Sequence, residues 1–196
     1  MTLRVLVGCE FSGVVREAFR ALGHDAWSCD LLPAEDGSPF HQRGNVLAWL
    51  GAGWDLAIFH PPCTRLTVAG ARWFKGREQE QFEAIAFCEA LWDAPIPRIA
   101  IENPIGVLST RSRLGKPTQI IQPWQFGHGE TKATCLWLKG LPSLTPTQVV
   151  NGRVARVHRE PPGPNRWKNR SRTYPGIAAA MAAQWSAYVL AQREAA

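Results

Sequence analysis

The sequence lacks any hydrophobic run long enough to cross a membrane, since no window approaches the roughly 18 apolar residues that a membrane helix needs. It also lacks the apolar core of a signal peptide, because the apolar start at residues 3–8 is short and leads into charged residues. We therefore expect a cytoplasmic protein with no membrane partner. A chain of 196 residues, 45% of them hydrophobic, is most simply a single domain with a sizeable core.

The sequence has no C-x-x-C pair, the usual sign of a structural metal site or a redox motif. Its five cysteines are expected as free thiols in a reducing compartment. Three of them, Cys29, Cys88 and Cys135, are expected to be small buried side chains. His60 and Cys63 form an H-x-x-C pair, but no second close pair accompanies it, so we expect no metal.

Acidic residues are nearly absent from one segment of the chain. Residues 151–172 contain seven Arg or Lys and one acid, Glu160, whereas the whole chain has 22 basic and 16 acidic residues. A neutral body with one basic segment suggests a polyanion partner, with nucleic acid as the first candidate, although a solvated basic loop is the alternative. Since residues 139–165 are rich in Pro and Gly, we expect an irregular basic segment at 139–172 within the single domain 1–196.

Short apolar runs alternate with helical patterns, which is typical of an α/β protein. Strands are predicted at residues 3–8, 26–30, 55–60, 98–103 and 131–138, and helices at residues 13–22, 78–92 and 176–192. The first helix has one apolar face, made of Val14, Val15, Ala18, Phe19 and Leu22. The simplest architecture for these elements is a doubly wound, mainly parallel sheet. In such sheets ligands bind at the carboxyl ends of the strands.

Two strand ends suggest a nucleotide-like ligand. Ser12 and Gly13 lead from the first strand into a helix, where free backbone N–H groups and a missing side chain allow a ligand to approach closely. Asp30 ends the second strand, where an acid can hold the ribose hydroxyls of an adenosine-containing cofactor. A tight strand–helix turn and a loop-capping acid would explain the same residues, and both alternatives stay open.

Two further strand ends suggest covalent chemistry. In the stretch HPPC, residues 60–63, two prolines fix the path of the chain and hold Cys63 at the rim of the sheet, where a thiolate can act as a nucleophile. The next strand ends in IENP, so Glu102 is expected beside Cys63 in a half-desolvated cleft. Burial would raise the pKa of Glu102 and make it a proton donor near neutral pH. A loop hydrogen bond or an arginine partner is the alternative role for Glu102.

Taken together, these residues resemble the cytosine-5 DNA methyltransferases. The stretch EFSG is similar to the cofactor-binding turn of that family, RGNV to its GD-I motif, HPPCTRLTVAG to its nucleophile motif and IENP to its ENV motif. The pieces follow in the right order over roughly residues 4–110, and PPC followed by EN about forty residues later is the most specific part.

The resemblance implies a Rossmann-like, S-adenosylmethionine-dependent methyltransferase fold and methyl transfer to C5 of cytosine in DNA. Cys63 would add to C6 of the base and Glu102 would donate a proton to N3. The cofactor, S-adenosylmethionine or a close sulfonium analogue, would be bound by Phe11, Ser12, Gly13, Asp30, Leu31, Asn45 and Pro62. Residues 64–77 resemble the family's mobile loop over a flipped base. DNA would be bound by Arg65, Arg72, Lys75, Lys132, Arg166, Trp167, Lys168, Arg170 and Arg172.

The sequence departs from the family in several motifs. Asn45 replaces an aspartate, ENV has become ENP, the Q-x-R-x-R and G-N-S-V motifs are missing, and Lys132 lies where the first of these is expected. No segment is long enough for the family's target-recognition domain, which implies low sequence specificity, or specificity supplied by a partner or a second subunit. In this respect the chain resembles compact phage or prophage members.

Three other functions stay open. The same site could act on a cytosine nucleotide, or on DNA with a modified sulfonium donor that carries a larger group. The protein could instead be a catalytically silent nucleic-acid-binding protein. A cysteine hydrolase is less compatible with the sequence, because His60 precedes two rigid prolines and no other histidine is placed as a base for Cys63.

Overall fold

The computed structural model describes residues 1–68 and 74–195. Within these residues the strands form one seven-stranded sheet in the order β3-β2-β1-β4-β5-β7-β6. The strands are β1 (Arg4–Gly8), β2 (Asp25–Asp30), β3 (His41–Arg43), β4 (Leu56–Phe59), β5 (Ile99–Pro104), β6 (Gln119–Ile121) and β7 (Thr134–Lys139).

The strands β1 to β5 are parallel to one another, whereas β7 is antiparallel to both β5 and β6. The prediction of a doubly wound, mainly parallel α/β sheet is therefore confirmed. Two strands were not predicted, β3 and β6, and each has only three residues. Both lie at an edge of the sheet, and neither has the apolar run that marks the central strands.

The helices of the described chain are α1 (Val14–Ala21), α2 (Glu78–Trp92), α3 (Leu108–Arg111), α4 (Arg156–Arg159), α5 (Arg166–Ser171) and α6 (Pro175–Glu194). The long helices α2 and α6 occur where the sequence predicts them. Helix α2 has acids in its first turn and α6 has Pro175 at its first position, both of which favour a helix start. The segment predicted to be irregular contains the short helices α4 and α5.

The sheet separates two apolar clusters. One joins the face of β1 and β4 to α1 and α6 and contains the fully buried Trp185, whose indole N–H donates to the carbonyl of Pro142 at 3.0 Å. Complete burial of such a side chain contributes about 3–5 kcal/mol. The other cluster covers the opposite face and includes Ile85 and Leu91 of α2. This layered core holds the strand ends in fixed positions relative to one another.

The buried face of α1 differs from the predicted one. Leu22 is exposed, because the helix ends at Ala21, and Arg16 is fully buried beside Val15 and Phe19. The Arg16 guanidinium forms an ion pair with Asp36 and donates to the Ser28 hydroxyl at 2.7 Å. These partners satisfy the buried charge, and they explain how arginine occupies a core position.

None of the helices in residues 1–68 and 74–195 is long and apolar enough to cross a membrane. The five cysteines are all free thiols, and Cys29, Cys88 and Cys135 are buried, as the sequence predicts. The same part of the chain has no group of three or more His, Cys, Asp or Glu side chains that could hold a metal ion.

Candidate active site

The turn between β1 and α1 is built around a buried carboxylate. Glu10 accepts hydrogen bonds from the backbone N–H groups of Val15 at 2.7 Å and Arg16 at 3.2 Å, so it caps the first turn of α1. Burial raises the pKa of Glu10. Gly13 has a left-handed φ of 74°. A side chain at Gly13 would also meet the guanidinium of Arg16. Glu10 is not among the predicted site residues, although an acid four residues before the helix start at Val14 is a capping signal.

Helix α5 lies over this turn. Phe11 is only 8% exposed, because Trp167 lies beside it with 5.5 Å between ring centroids and the Lys168 ammonium is 5.8 Å from its ring centroid. Arg172 forms an ion pair with Glu35 at 2.7 Å, and the Glu35 N–H donates to the Phe11 carbonyl at 2.9 Å. Three residues predicted to bind DNA therefore cover the turn predicted to bind the cofactor.

The carboxyl end of β2 offers polar and apolar groups side by side. Asp30 uses one carboxylate oxygen to accept from the Leu32 N–H at 2.9 Å, and Leu31 is exposed next to it. The Gly44 N–H donates to the Asp30 carbonyl at 2.8 Å, which holds the neighbouring Asn45 beside this strand end. The side-chain oxygen of Asn45 caps the following 3-10 helix, Val46–Trp49, so its amide NH2 is left to donate. A carboxylate, an apolar surface and an amide donor fit the ribose and adenine of S-adenosylmethionine.

Cys63 lies in a turn directly after β4. Its carbonyl accepts from the N–H groups of Leu66 and Thr67, both at 2.9 Å, and its side chain is half-buried. Pro61 is tied to the neighbouring strand, because the buried Asn103 side chain donates to its carbonyl at 2.9 Å. Asn103 is a further residue that the predicted site did not include. It fixes the path of the HPPC stretch relative to Glu102.

The loop after Cys63 packs directly on the chain that follows β5. The Val107 N–H donates to the Leu66 carbonyl at 2.8 Å, and the Val68 N–H donates to the Ile105 carbonyl at 3.2 Å. Between these two bonds, a Cβ on Gly106 would lie 2.0 Å from the Leu66 carbonyl oxygen. Only glycine allows this approach, so Gly106 sets the position of the loop that contains Cys63.

Three charged groups, Glu102, Lys132 and Arg170, act on the Cys63 thiol. Burial, and next the negative charge of Glu102, raise the pKa of the Cys63 thiol, whereas Lys132 and Arg170 act to lower it. The free protein therefore favours the thiol, and Lys132 and Arg170 oppose this preference. The structure thus brings together Cys63, Glu102, Lys132 and Arg170 from distant parts of the chain.

Glu102 is paired with His60, a partner that was not predicted from the sequence. Nδ1 of His60 lies 3.0 Å from Oε2 of Glu102, and the two side chains are 11% and 13% exposed. The pair follows from strand register, because Phe59 of β4 lies opposite Ile101 of β5 and each strand continues by one residue.

The pairing reverses an expectation about Glu102. Burial raises the pKa of this carboxyl, but the hydrogen bond and charge interaction with His60, together with Lys132, outweigh burial and hold the pKa below its usual range. The prediction of a raised pKa was therefore wrong, because it considered burial without the histidine. Lys132 is itself held in place, since its ammonium donates to the Arg172 carbonyl at 3.0 Å.

The remaining predicted DNA contacts are dispersed. Arg65 forms an ion pair with Glu80 of α2 at 2.6 Å, Lys75 is exposed, and Arg166 is partly exposed at the start of α5. Arg72 lies outside the described residues. Pro62 is exposed beside Cys63, and Ser12 approaches the Glu10 carboxylate at 3.4 Å. The basic residues of α5 and the segment around it are thus the ones nearest to the predicted cofactor and cysteine sites.

An open cavity of about 510 Å³ lies next to this cluster. Glu130, Arg156 and Glu160 line it, and the Arg156 guanidinium is 2.9 Å from Glu130 and 3.8 Å from Glu160. Tyr174 separates this cavity from Glu102, because its hydroxyl donates to Glu130 at 2.6 Å and it also lines the small space beside Glu102. Three charged groups of the cavity wall, Glu130, Arg156 and Glu160, are thus already paired with one another.

Comparison with known proteins gives a likeness in fold. No protein-family model matches the sequence, and no curated protein matches it either. One similar solved structure is described as a DNA modification methyltransferase encoded within an E. coli prophage, with a TM-score of 0.51 and 13% identity, covering 76% of this chain and 52% of that protein. Another is the Entamoeba histolytica methyltransferase EhMeth, with a TM-score of 0.52 and 12% identity, covering 83% of this chain and 61% of that protein.

The chain spans only about half to three-fifths of the length of these two proteins. At such low identity the likeness concerns the arrangement of strands and helices. The chain therefore has the Rossmann-like α/β fold found in methyltransferases.

Proposed function

We propose that this protein transfers a methyl group from S-adenosylmethionine to C5 of cytosine in DNA, with Cys63 as the covalent nucleophile and Glu102 as the proton donor to N3. The observation that carries the proposal is the adjacency of these two side chains at the carboxyl ends of neighbouring parallel strands. The likeness in fold to a prophage DNA modification methyltransferase supports it.

The chemistry requires both residues because C5 of cytosine is a poor nucleophile. The Cys63 sulfur forms a bond to C6 while N3 takes a proton from Glu102, and the electron density gained by the ring appears at C5. S-adenosylmethionine, when bound at the ends of β1 and β2 near Phe11, Gly13 and Asp30, supplies an electrophilic methyl group. C5 would take this methyl group, and loss of the C5 proton to water and return of the N3 proton to Glu102 would restore the ring and release the Cys63 sulfur.

The charges around Cys63 favour this coupled proton arrangement. Ionised Glu102 raises the pKa of Cys63, so neutralising Glu102 lowers the pKa of the thiol. The reaction needs a thiolate beside a protonated carboxyl group. Electrostatics favours this state over a thiolate beside a carboxylate, because the latter places two negative charges together. Lys132 and Arg170 stabilise the thiolate further.

DNA is the substrate that the charge distribution favours. The basic residues of α5 lie beside the site, and they would bind phosphates, with the half-exposed Trp167 available to stack on a base. A cytosine in a duplex would have to be flipped out to reach Cys63. Between β7 and α6 the described chain has only the short helices α4 and α5, so we expect low sequence specificity, or specificity supplied by a partner or second subunit.

Nucleoside mass spectrometry tests the proposal. Mixed-sequence DNA, single- and double-stranded, is incubated with the protein and S-adenosylmethionine, with Cys63→Ser as the control and calorimetry to show that the variant still binds the cofactor. A cytidine heavier by one methyl group, absent with Cys63→Ser, is the expected result. Product with Cys63→Ser would contradict the mechanism. Cofactor binding without any product would favour a modified donor or a cytosine nucleotide, and no cofactor binding would favour a catalytically silent DNA-binding protein.

A further inference from the structure

His60 is a buried histidine whose contacts leave one ring nitrogen unused. Nδ1 contacts Glu102 at 3.0 Å, whereas Nε2 is buried and has no hydrogen-bond partner among the described residues. A histidine that served only to fill space would leave the cost of this buried nitrogen uncompensated. The ring is thus oriented by one contact, the one with Glu102.

The groups around the His60–Glu102 pair come from four parts of the chain. Glu10 interacts with His60 from the turn after β1. Cys63 follows His60 in its own loop, and Cys135 of β7 feels the charge of Glu102. Lys132 lies beside Glu102, and Tyr174 at the start of α6 lines the same small space. Of these, Lys132 favours an ionised Glu102, while burial of Glu10 favours the neutral form of that second carboxyl.

We propose that His60 is a positioning residue that shares one exchangeable proton with Glu102 and keeps it in the site until Glu102 donates it to N3 of cytosine. This inference rests on the proposed function. Before donation, the pair is either a carboxylate with an imidazolium or a carboxylic acid with a neutral imidazole, and both forms hold the same number of protons. The shared proton lies between Nδ1 of His60 and Oε2 of Glu102, and as the base reacts its bond to Oε2 breaks and the N3–H bond forms.

After donation, Glu102 is a carboxylate and His60 is a neutral imidazole that keeps its proton at Nε2. When the ring is restored, the N3–H bond breaks and the proton returns to Glu102, which restores the starting state of the pair. The histidine has two linked effects on Glu102. Contact with His60 holds the pKa of Glu102 below its usual range, which favours the carboxylate, and the same imidazole keeps the proton that Glu102 has to donate within the pair.

Two substitutions separate the proton-sharing role from simple hydrogen bonding. In His60→Asn, the side-chain amide takes the place of Nδ1 as a donor to Glu102, but it cannot hold the exchangeable proton. In His60→Leu, the donor is lost, and only Lys132 still opposes the effect of burial on the pKa of Glu102. Methyl transfer in a single turnover is measured against pH for both variants. His158→Asn changes an exposed histidine of α4, and its pH profile should have the wild-type shape.

We expect His60→Asn to lose about 10-fold or more of its rate at pH 8, to recover at acidic pH, and to bind the cofactor normally. His60→Leu should lose rate at all pH values, because Glu102 is no longer oriented. The fall of its rate on the alkaline side of the pH profile should lie at higher pH than the fall for His60→Asn. A His60→Asn variant with the rate and pH profile of the wild type would overturn the proposal. A hydrogen bond from residue 60 to Glu102 would then be sufficient, and no shared proton would be needed.

A second measurement does not depend on methyl transfer. The carboxyl signal of Glu102, labelled with ¹³C and assigned by its loss in Glu102→Gln, is followed with pH by NMR. A shared proton predicts two steps in the wild type and a single step in His60→Asn, because coupled groups titrate as a pair. A single unchanged step in both proteins would overturn the proposal even if the protein methylates DNA. Two steps in a protein without methyltransferase activity would support the shared proton and count only against the proposed function.

Discussion

The indole of Trp167 lies against the ring of Phe11, with 5.5 Å between the centroids and a tilt of 50°. This contact joins the basic helix α5 to the turn after β1. A side chain expected to stack on DNA therefore forms part of the cover over the expected cofactor site. Cofactor binding and DNA binding should, for this reason, depend on the same helix.

Replacing Trp167 by alanine should weaken cofactor binding about fivefold, since a lost aromatic contact costs about 1 kcal/mol. Calorimetric titration with S-adenosylmethionine measures the change. Phe82→Ala is the matched control, because Phe82 is an exposed aromatic residue on α2. If Trp167→Ala instead bound the cofactor more tightly, α5 would obstruct the site rather than cover the bound cofactor.

The reactivity of Cys63 should respond in opposite directions to its two neighbours. Glu102→Gln removes a negative charge and should lower the pKa of Cys63, whereas Arg170→Met removes a positive charge and should raise it. The rate of iodoacetamide labelling is measured against pH, because its midpoint reports ionisation and its plateau reports access.

Peptide mass spectrometry identifies the labelled cysteine. The buried Cys88, whose pKa is raised to about 12 by burial and by Glu89, should remain unlabelled near neutral pH. Midpoints that moved in the same direction in both variants would show that the charges of Glu102 and Arg170 do not govern the thiol.

Gly106→Ala should reduce turnover strongly while leaving cofactor binding intact. The added Cβ would lie 2.0 Å from the Leu66 carbonyl oxygen, so the loop that contains Cys63 must move. A displacement of this size should reduce turnover about 100-fold, while cofactor binding at the far strand ends persists. Gly51→Ala is the control, because no atom lies within 4 Å of its added Cβ. Equal turnover of the two variants would show that the loop position does not matter.

The buried Arg16 should make the fold more sensitive to loss of its partner than to loss of the arginine itself. Asp36→Ala leaves the guanidinium with Ser28 and Glu17 only, and should lower the free energy of unfolding by about 1–3 kcal/mol. Arg16→Met removes the buried charge, fills similar space and leaves a partly exposed aspartate, so it should cost less. Urea denaturation of both variants decides the order, and a larger loss for Arg16→Met would contradict it.

The central elements could be predicted because burial marks them in the sequence. Strands β1, β4 and β5 are short apolar runs, and α2 is bounded by acids at its start. The edge strands β3 and β6 could not be predicted, because three partly exposed residues form a strand only when a neighbour pairs with them. The antiparallel direction of β7 was likewise invisible, since an apolar run predicts a strand and not its direction.

The candidate site was predictable in part, because it lies at the ends of strands that can be recognised in the sequence. Parallel strands that end together bring Cys63 and Glu102 close, and the same alignment would have placed His60 beside Glu102, one residue beyond Phe59 and Ile101. The contact of Trp167 with Phe11 had no comparable signal. It joins residues far apart in the chain, and it depends on how the segment before α6 folds back.

The edge strands β3 and β6 are the least extended parts of the sheet, and their shortness restricts how another protein can attach. A strand of three residues offers too few unpaired backbone groups to template a further strand. A second subunit that adds DNA specificity would therefore have to recognise side chains on the helical faces or loops. Surface mutations could therefore change such an interface without disturbing the backbone pairing of the sheet.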